Sequence, residues 1–126
     1  VCCAVGLKRG LILFYDSGGA VASLSKEHME KWKVDQPDFM DIYVPVITIV
    51  DLLETLPGPY HFISLDIEGL SIDVLNVFPD IIALGVELIC IEATDGEESD
   101  RVRNIMGIRG YSPWKRTAEN WLYKKG

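Results

Sequence analysis

Two acidic residues one position apart follow a short run in the middle of the chain that is typical of a buried strand. The run Phe62–Leu65 indicates a strand buried on both faces, as in a parallel sheet, and Asp66 and Glu68 follow its carboxyl end. In extended chain, residues two apart point to the same side. Because open α/β sheets bind their ligands at this edge, Asp66 and Glu68 are the first candidates for catalysis.

Glu92 is a third candidate, because it ends the next apolar run much as Asp66 follows its own. If the two strands are parallel neighbours, all three carboxylates face one crevice. Mutual repulsion should then raise at least one pKa, unless a cation or a donor compensates. Such a cluster could act as a general base, hold a hard divalent metal or bind the hydroxyl groups of a ligand. In the alternative interpretation, Asp66 caps the following helix and Glu68 is solvated.

Other residues of chemical interest have plainer interpretations. His61, beside Pro59 and Tyr60, is interpreted as a turn residue, and His28 likewise. Ser64 lacks the Gly-x-Ser-x-Gly elbow of a nucleophile. Neither Gly-x-Gly-x-x-Gly nor Gly-x-x-x-x-Gly-Lys-Ser/Thr occurs, so the printed sequence contains no recognisable nucleotide cradle.

The elements around these acids alternate. From about Thr48 onward, helical and strand-like patterns follow one another, which favours an α/β fold with a largely parallel sheet. Thr48 is predicted to cap a helix, and Pro45 to mark an edge strand or a merely extended segment. Ser25 is predicted to cap one or two helical turns over residues 25–33. Residues 111–115 and 121–125 are predicted to form a closing antiparallel hairpin.

Composition limits the possible partners. The 126 residues carry a net charge of −7, which argues against nucleic acid and anionic membranes. No apolar run approaches the about 18 residues of a membrane span. Three cysteines, two of them adjacent, form neither a disulfide framework nor a zinc pattern, so we expect reduced thiols and a cytoplasmic location. Since the chain opens on Val1 in strand-like sequence, we expect a fragment that lacks its amino-terminal part.

An ordered set of motifs adds a resemblance. Residues 43–53 read Tyr-Val-Pro-Val-Ile-Thr-Ile-Val-Asp-Leu-Leu, and residues 64–69 read Ser-Leu-Asp-Ile-Glu-Gly. Further motifs are Ala4-Val5-Gly6, Val74-Leu75, Ile91-Glu92, Gly110-Tyr111 and Asn120-Trp121-Leu122-Tyr123. Taken in order, they resemble the FkbM family of S-adenosylmethionine-dependent methyltransferases over nearly the whole chain.

The resemblance implies one partial methyltransferase domain, residues 1–126, with a Rossmann-like class I fold of mostly parallel sheet and a C-terminal antiparallel hairpin. It implies S-adenosylmethionine as cofactor and methylation of a hydroxyl on a sugar, glycolipid or small molecule. By position, Asp66 and Glu68 would be catalytic, and no metal is expected. Glu92 and Asn120 would bind the substrate, and Ala4 and Val5 the cofactor.

The chain departs from the family pattern in three respects. Ser71 stands where the family has a second Glu, and Ser64-Leu65 replaces a Lys-containing pair. The family's glycine-rich loop and ribose-binding acid would lie upstream of Val1.

Two alternatives remain open. The Asp66-x-Glu68 pair also resembles the first motif of DEDD 3′–5′ exonucleases, which bind two metal ions. That family needs further acids and a His or Tyr well downstream, and no His follows Glu92. The other alternative is a non-catalytic Rossmann-like remnant. The expected partner is a small-molecule or sugar acceptor, with no nucleic acid and no membrane span.

Overall fold

The structure of the protein is a computed structural model that describes residues 3–35, 38–79 and 84–126. Strands and helices alternate irregularly along the chain. In order, the elements are β1 (Ala4–Gly6), β2 (Gly10–Asp16), α1 (Lys26–Trp32), β3 (Met40–Thr48), α2 (Ile49–Thr55), β4 (Phe62–Leu65), α3 (Ser71–Val77), β5 (Leu88–Glu92), α4 (Glu97–Ile108), β6 (Tyr111–Thr117) and β7 (Asn120–Lys125).

The first sheet has the strand order β1-β3-β2. β1 pairs parallel with β3, and β2 pairs antiparallel with it. The expectation that Pro45 marks an edge strand is wrong for β3 as a whole, because β3 is the central strand. β1 begins to pair only at Val46, opposite Ala4, so the side of Pro45 that faces β1 carries no ladder partner. Pro45 is paired only with Leu11 of β2.

The second sheet has the order β4-β5-β7-β6 and is also mixed. β4 and β5 are parallel, whereas β5–β7 and β6–β7 are antiparallel. The expected Rossmann-like fold with one mostly parallel sheet is therefore wrong: the chain forms two mixed sheets. Its closing antiparallel hairpin is present, as β6 and β7.

The reason lies in the connection through α2. A helix between two strands was expected to return the chain to the same sheet, as in a βαβ unit. Instead β3 lies in the first sheet and β4 at an edge of the second. The expectation that β4 is buried on both faces is therefore wrong. Phe62 is 52% exposed, and Ser64 is also exposed.

The main core lies between the second sheet and helices α3 and α4. Leu75, Ile91, Val102 and Met106 are fully buried there. The larger set of buried members also includes Leu65, Val74, Val86, Ile89, Ala93, Tyr111 and Tyr123. Alternate residues of β5 are buried, as expected for a strand with one face on a core. The core thus fixes the carboxyl ends of β4 and β5 relative to each other.

The helix starts follow the sequence closely. The Thr48 hydroxyl accepts a hydrogen bond from the Asp51 backbone N–H, and the Asp51 carboxylate accepts one from the Thr48 backbone N–H, which completes a capping box. Ser25 caps α1 through the backbone N–H of His28. α4 continues through Gly107 and ends at Ile108.

A few sequence predictions concern other parts of the chain. The extra turn predicted after Pro79 falls largely outside the described residues, as does Cys2. Cys3 and Cys90 are free thiols and half-buried. Within the described residues, no helix combines the length and apolar character needed to cross a membrane.

Candidate functional site

Three carboxylates meet at one edge of the second sheet. β4 and β5 run parallel with Leu65 opposite Ile91, so Asp66 and Glu92 leave their strands side by side. One carboxylate oxygen from each of Asp66, Glu68 and Glu92 lies within 4.8 Å of the others. We call these three residues the acid cluster. The structure thus brings together the three acids that the sequence singled out.

A tight turn after β4 sets the direction of Glu68. The backbone N–H of Ile67 donates to the hydroxyl of Ser71 over 3.1 Å, and the N–H of Leu70 donates to the Ile67 carbonyl over 2.7 Å. Gly69 has a φ of +83°, a conformation that favours glycine. Ser71, the departure from the family pattern, therefore stabilises the turn that carries the acid cluster.

The pKa values of two residues in the acid cluster are raised. The pKa of Glu92 is raised from 4.5 to about 7, first by a hydrogen bond with Asp66 and then by burial. Partial burial, followed by the charges of Asp66 and Glu119, raises the pKa of Glu68. A carboxyl group that titrates near neutral pH can either accept or donate a proton there. The same oxygens could hold a hard divalent cation, whose charge would oppose this rise.

An open cavity of about 700 Å³ adjoins the acid cluster. Glu68 and Glu92 line one side of it, and α1 supplies the opposite wall. The lining residues are mostly polar; among them are Ser25, Glu27, His28, Lys31, Trp32, Asp73, Thr94, Glu98, Arg101 and Glu119. The volume lies within the range of small-molecule sites.

His28 reaches from α1 to the acid cluster. Its Nε2 lies 3.0 Å from an Oε2 of Glu68, and its side chain is only 11% exposed. Despite this short distance, Nε2 makes no hydrogen bond among the described residues. Burial, followed by the charge of Lys31, lowers the pKa of His28. We therefore treat this contact as one between a neutral ring and a carboxyl group rather than as an ion pair.

The segment before α1 also holds the backbone at Glu68. The hydroxyl of Ser23 donates to the Glu68 carbonyl and accepts from the N–H of Ser25. Ser23 is buried although it is polar. This pair of hydrogen bonds anchors the start of α1 to the turn after β4.

The other predicted site residues lie outside the cavity wall. Asn120 stands opposite Glu92 in the β5–β7 register and accepts a contact of 3.8 Å from the Cys90 thiol. Ala4 and Val5 belong to β1 in the first sheet, and Val5 packs against the main core. Ala4, Val5 and Asn120 are not among the described residues that line the cavity.

The interpretation of His28 as a turn residue is wrong, because it lies within α1, and sequence reasoning missed Trp32 and Glu119. His28 and Trp32 share a helix face through their i, i+4 spacing, and this was the available signal for a functional wall on α1. Glu119 lies in the hairpin turn, where its carbonyl accepts from the N–H of Ala93. Only the register of that hairpin brings Glu119 beside Glu92. Sequence spacing could not show this, because it depends on the register of β5 against β7, which sets Glu92 opposite Asn120.

Comparison with known proteins adds no relative. No protein-family model matches the chain, and neither a curated protein nor a solved structure matches it. The chemistry of the site is therefore argued from the side chains described above and from the motif resemblance.

Proposed function

We propose that the protein takes part in S-adenosylmethionine-dependent methylation of a hydroxyl group, with the acid cluster binding and deprotonating the acceptor. The observation that carries this proposal is the closeness of the Asp66, Glu68 and Glu92 carboxylates, whose oxygens lie within 4.8 Å of one another beside an open cavity. The ordered motifs supply the reaction class, because the same acids end the motifs that resemble the methyltransferase family.

The proposed chemistry of these residues is simple. Methyl transfer to a hydroxyl oxygen is favoured when a positioned base removes the hydroxyl proton. Glu92, which is ionised for part of the time at neutral pH, accepts that proton. Its protonated carboxyl group then donates a hydrogen bond to the carboxylate of Asp66. Glu68 lies close enough to both to bind a second hydroxyl of the acceptor.

The residues proposed for the cofactor do not fit it. A Cβ atom at Gly6 would lie 2.9 Å from side-chain carbons of Leu24 and Val46, so the backbone there is closed by packing rather than open to a ligand. Ala4 and Val5 precede Gly6 in the same strand, β1. We therefore assign no cofactor contact to these residues, and S-adenosylmethionine is proposed as methyl donor from the motif resemblance alone.

The charge of the cavity narrows the acceptor. Carboxylates of Glu27, Glu68, Glu92 and Glu119 line it, against the cations Lys31 and Arg101. Anionic groups would be repelled, so a neutral polyhydroxyl compound or a cationic one is favoured. For the same reason a nucleic-acid strand is a poor substrate, which weakens the exonuclease alternative.

The experiment is a transfer assay on the 126-residue chain. The protein is incubated with S-adenosylmethionine carrying a tritiated methyl group and with a panel of sugars, glycolipids and polyols. We expect label in one acceptor class and roughly a hundredfold loss of turnover in Glu92→Gln, the lower end of the range for a general base. Glu87→Gln is the matched control, because Glu87 precedes the same strand at its opposite end and its side chain is 72% exposed.

Other outcomes point elsewhere. Equal turnover in wild type and Glu92→Gln contradicts the role given to the acid cluster. Cleavage of single-stranded DNA that depends on Mg²⁺ and is lost in Asp66→Asn favours the exonuclease alternative. No transfer to any acceptor, together with no calorimetric binding of S-adenosylhomocysteine, supports a non-catalytic module.

A further inference from the structure

Ser23 lies where the first sheet, the start of α1 and the acid cluster meet. It stands between β2 and α1 in the chain and is only 3% exposed. Its backbone N–H donates to the carbonyl of Tyr15 over 3.1 Å, and its carbonyl accepts from the N–H of Tyr15 over 2.9 Å. Ser23 is therefore attached to β2 by an antiparallel bridge, and its backbone position is set by the first sheet.

The side-chain hydroxyl of Ser23 makes two further hydrogen bonds. It donates to the backbone carbonyl of Glu68, and it accepts from the N–H of Ser25, the N-cap of α1, over 2.9 Å. Burial of a hydroxyl group costs free energy unless the group is hydrogen bonded, and here both its donor and its acceptor functions are used. A single buried hydroxyl thus connects the turn after β4 with α1 and with the first sheet.

The turn after β4 has no other hydrogen bond of this kind. Its internal hydrogen bonds, from the N–H of Ile67 to the hydroxyl of Ser71 and from the N–H of Leu70 to the carbonyl of Ile67, set its shape. Neither of them reaches the first sheet or α1. Among the described residues, the hydrogen bond from Ser23 is the only one that joins this turn to either of them.

Packing alone gives the turn less definition. A Cβ atom at residue 69 would lie 2.7 Å from the Cβ of His28, so α1 and the turn are in close contact at Gly69. Apolar contact of this kind is not directional, whereas a hydrogen bond from a fixed donor is. The carbonyl of Glu68 therefore has a defined place relative to α1, which forms the opposite wall of the cavity that Glu68 lines.

We propose that Ser23 is a positioning residue, whose hydroxyl fixes the turn that carries Asp66 and Glu68 against the first sheet and α1. Ser23 acts through the backbone of Glu68 and is not among the described residues that line the cavity. The proposal rests on the proposed function for its purpose, since carboxylates bind and deprotonate an acceptor efficiently only when they are held in place. Loss of the hydroxyl should free the carboxyl of Glu68 more than it loosens the rest of the protein.

The experiment measures the reaction of the Glu68 carboxyl with a water-soluble carbodiimide and glycine ethyl ester, read by peptide mass spectrometry. Ser99→Ala is the matched control for Ser23→Ala, because Ser99 is 5% exposed and its hydroxyl also donates to a backbone carbonyl, that of Gly96. We expect labelling of Glu68 to rise roughly fivefold in Ser23→Ala, as for the loss of one hydrogen bond, and to stay at the wild-type value in Ser99→Ala. Glu87, whose side chain is 72% exposed, is the internal reference for labelling.

Two results would overturn the proposal. Labelling of Glu68 that stays at the wild-type value in Ser23→Ala means that the turn is held without the hydroxyl. An equal rise in Ser99→Ala means that labelling reports a general loosening of the protein rather than the contact with Ser23.

A measurement on the wild type covers the case in which Ser23→Ala does not fold. In a mixture of equal parts of H₂O and D₂O, a slowly exchanging hydroxyl proton splits the ¹³C signal of its Cβ atom, whereas a rapidly exchanging one gives a single averaged signal. The Cβ signal of Ser23 should be split, and that of the exposed Ser112 should be averaged. An averaged signal for Ser23 contradicts a hydroxyl held by two hydrogen bonds.

Neither measurement needs a methyl donor or an acceptor. A negative result for Ser23 therefore leaves the proposed function to be decided by the methyl-transfer assay, and absence of methyl transfer leaves the role of Ser23 in holding the turn to be decided by labelling.

Discussion

One carboxylate oxygen of Glu92 lies within 4.8 Å of one of Asp66, and a hydrogen bond between the two groups is the main cause of the raised pKa of Glu92, although Glu92 ends β5 and Asp66 follows β4. The parallel pairing of β4 and β5 creates this neighbourhood, because both strands end at the same edge. Two carboxyl groups can form such a hydrogen bond only while one of them holds a proton. The fold therefore retains a proton at this edge under conditions in which an isolated Glu would have lost it.

We predict a specific pH dependence from this pair. The pKa of Glu92 is about 7 in the folded protein, against 4.5 as its ordinary value. Between these values the folded state binds more protons than the unfolded state, so the unfolding free energy falls as the pH rises from about 4.5 to about 7. Glu92→Gln should remove this contribution, worth about 1 kcal/mol after allowing for the exposed side of the carboxyl.

The measurement is urea unfolding of wild type and Glu92→Gln at several values between pH 4.5 and pH 8. The difference in unfolding free energy between the two proteins isolates the contribution of Glu92, because His28 titrates in both of them. Glu87→Gln controls for the loss of one charge from the same strand region. A constant difference across the whole range would show that Glu92 has no raised pKa.

The local elements of this fold could be predicted from the sequence, whereas the sheets could not. The capping box at Thr48 and the cap at Ser25 depend on residues within four positions of each other, and both occur as expected. Which sheet a strand joins depends on contacts across the whole chain. β3 and β4 look like consecutive strands of one sheet, and their separation into two sheets has no local signature.

The candidate site divides in the same way. The proximity of Asp66, Glu68 and Glu92 followed from one assumption, the parallel pairing of two neighbouring strands, and that pairing is present. The contribution of α1 was missed because His28 meets Gly69 across forty residues of intervening chain that contain two further strands and a further helix. A histidine in a short helix gives no sign of what its ring will contact.

Gly69 should be far less tolerant of substitution than other glycines in similar backbone conformations. Gly69→Ala adds a strained positive φ and a Cβ atom 2.7 Å from His28, so we expect a loss of about 2–3 kcal/mol in unfolding free energy. Gly18→Ala is the matched control. Its φ is +67°, and nothing lies within 4 Å of the added atom, so strain alone should cost about 1 kcal/mol.

Guanidinium unfolding at pH 7 gives both values. Similar losses in the two variants would mean that α1 moves aside from Gly69 at no cost. That result would also mean that His28 is free to move away from residue 69.

The cap of α2 provides a prediction on a different part of the molecule. Thr48→Ala removes a hydroxyl that accepts from the Asp51 N–H over 3.2 Å, and should cost about 1 kcal/mol in unfolding free energy. Thr48→Ser keeps the hydroxyl and should recover most of this loss. Chemical unfolding of both variants checks the prediction, and an equal loss in the two would assign the effect to the methyl group of Thr48 instead.

Two buried tyrosines should respond in opposite ways to loss of their hydroxyl groups. Tyr111 is 2% exposed and its hydroxyl donates over 2.5 Å to the carbonyl of Val86. Tyr123 is fully buried, and its hydroxyl has no hydrogen-bond partner among the described residues. Tyr111→Phe leaves a buried carbonyl without its donor and should cost about 1–2 kcal/mol. Tyr123→Phe removes a polar group that is buried without compensation, so it should leave the unfolding free energy unchanged or raise it.

Each tyrosine serves as the control for the other, because both lie in the same core and the two substitutions remove the same atom. Thermal unfolding followed by near-UV circular dichroism compares the two variants with wild type at pH 7, well below the raised pKa of Tyr123. A loss in Tyr123→Phe as large as that in Tyr111→Phe would show that the Tyr123 hydroxyl has a partner in solution. Burial raises the pKa of Tyr123 and the charge of Arg103 on α4 opposes this rise, so Arg103→Met would then be the variant that tests whether this side chain or a water molecule binds the hydroxyl.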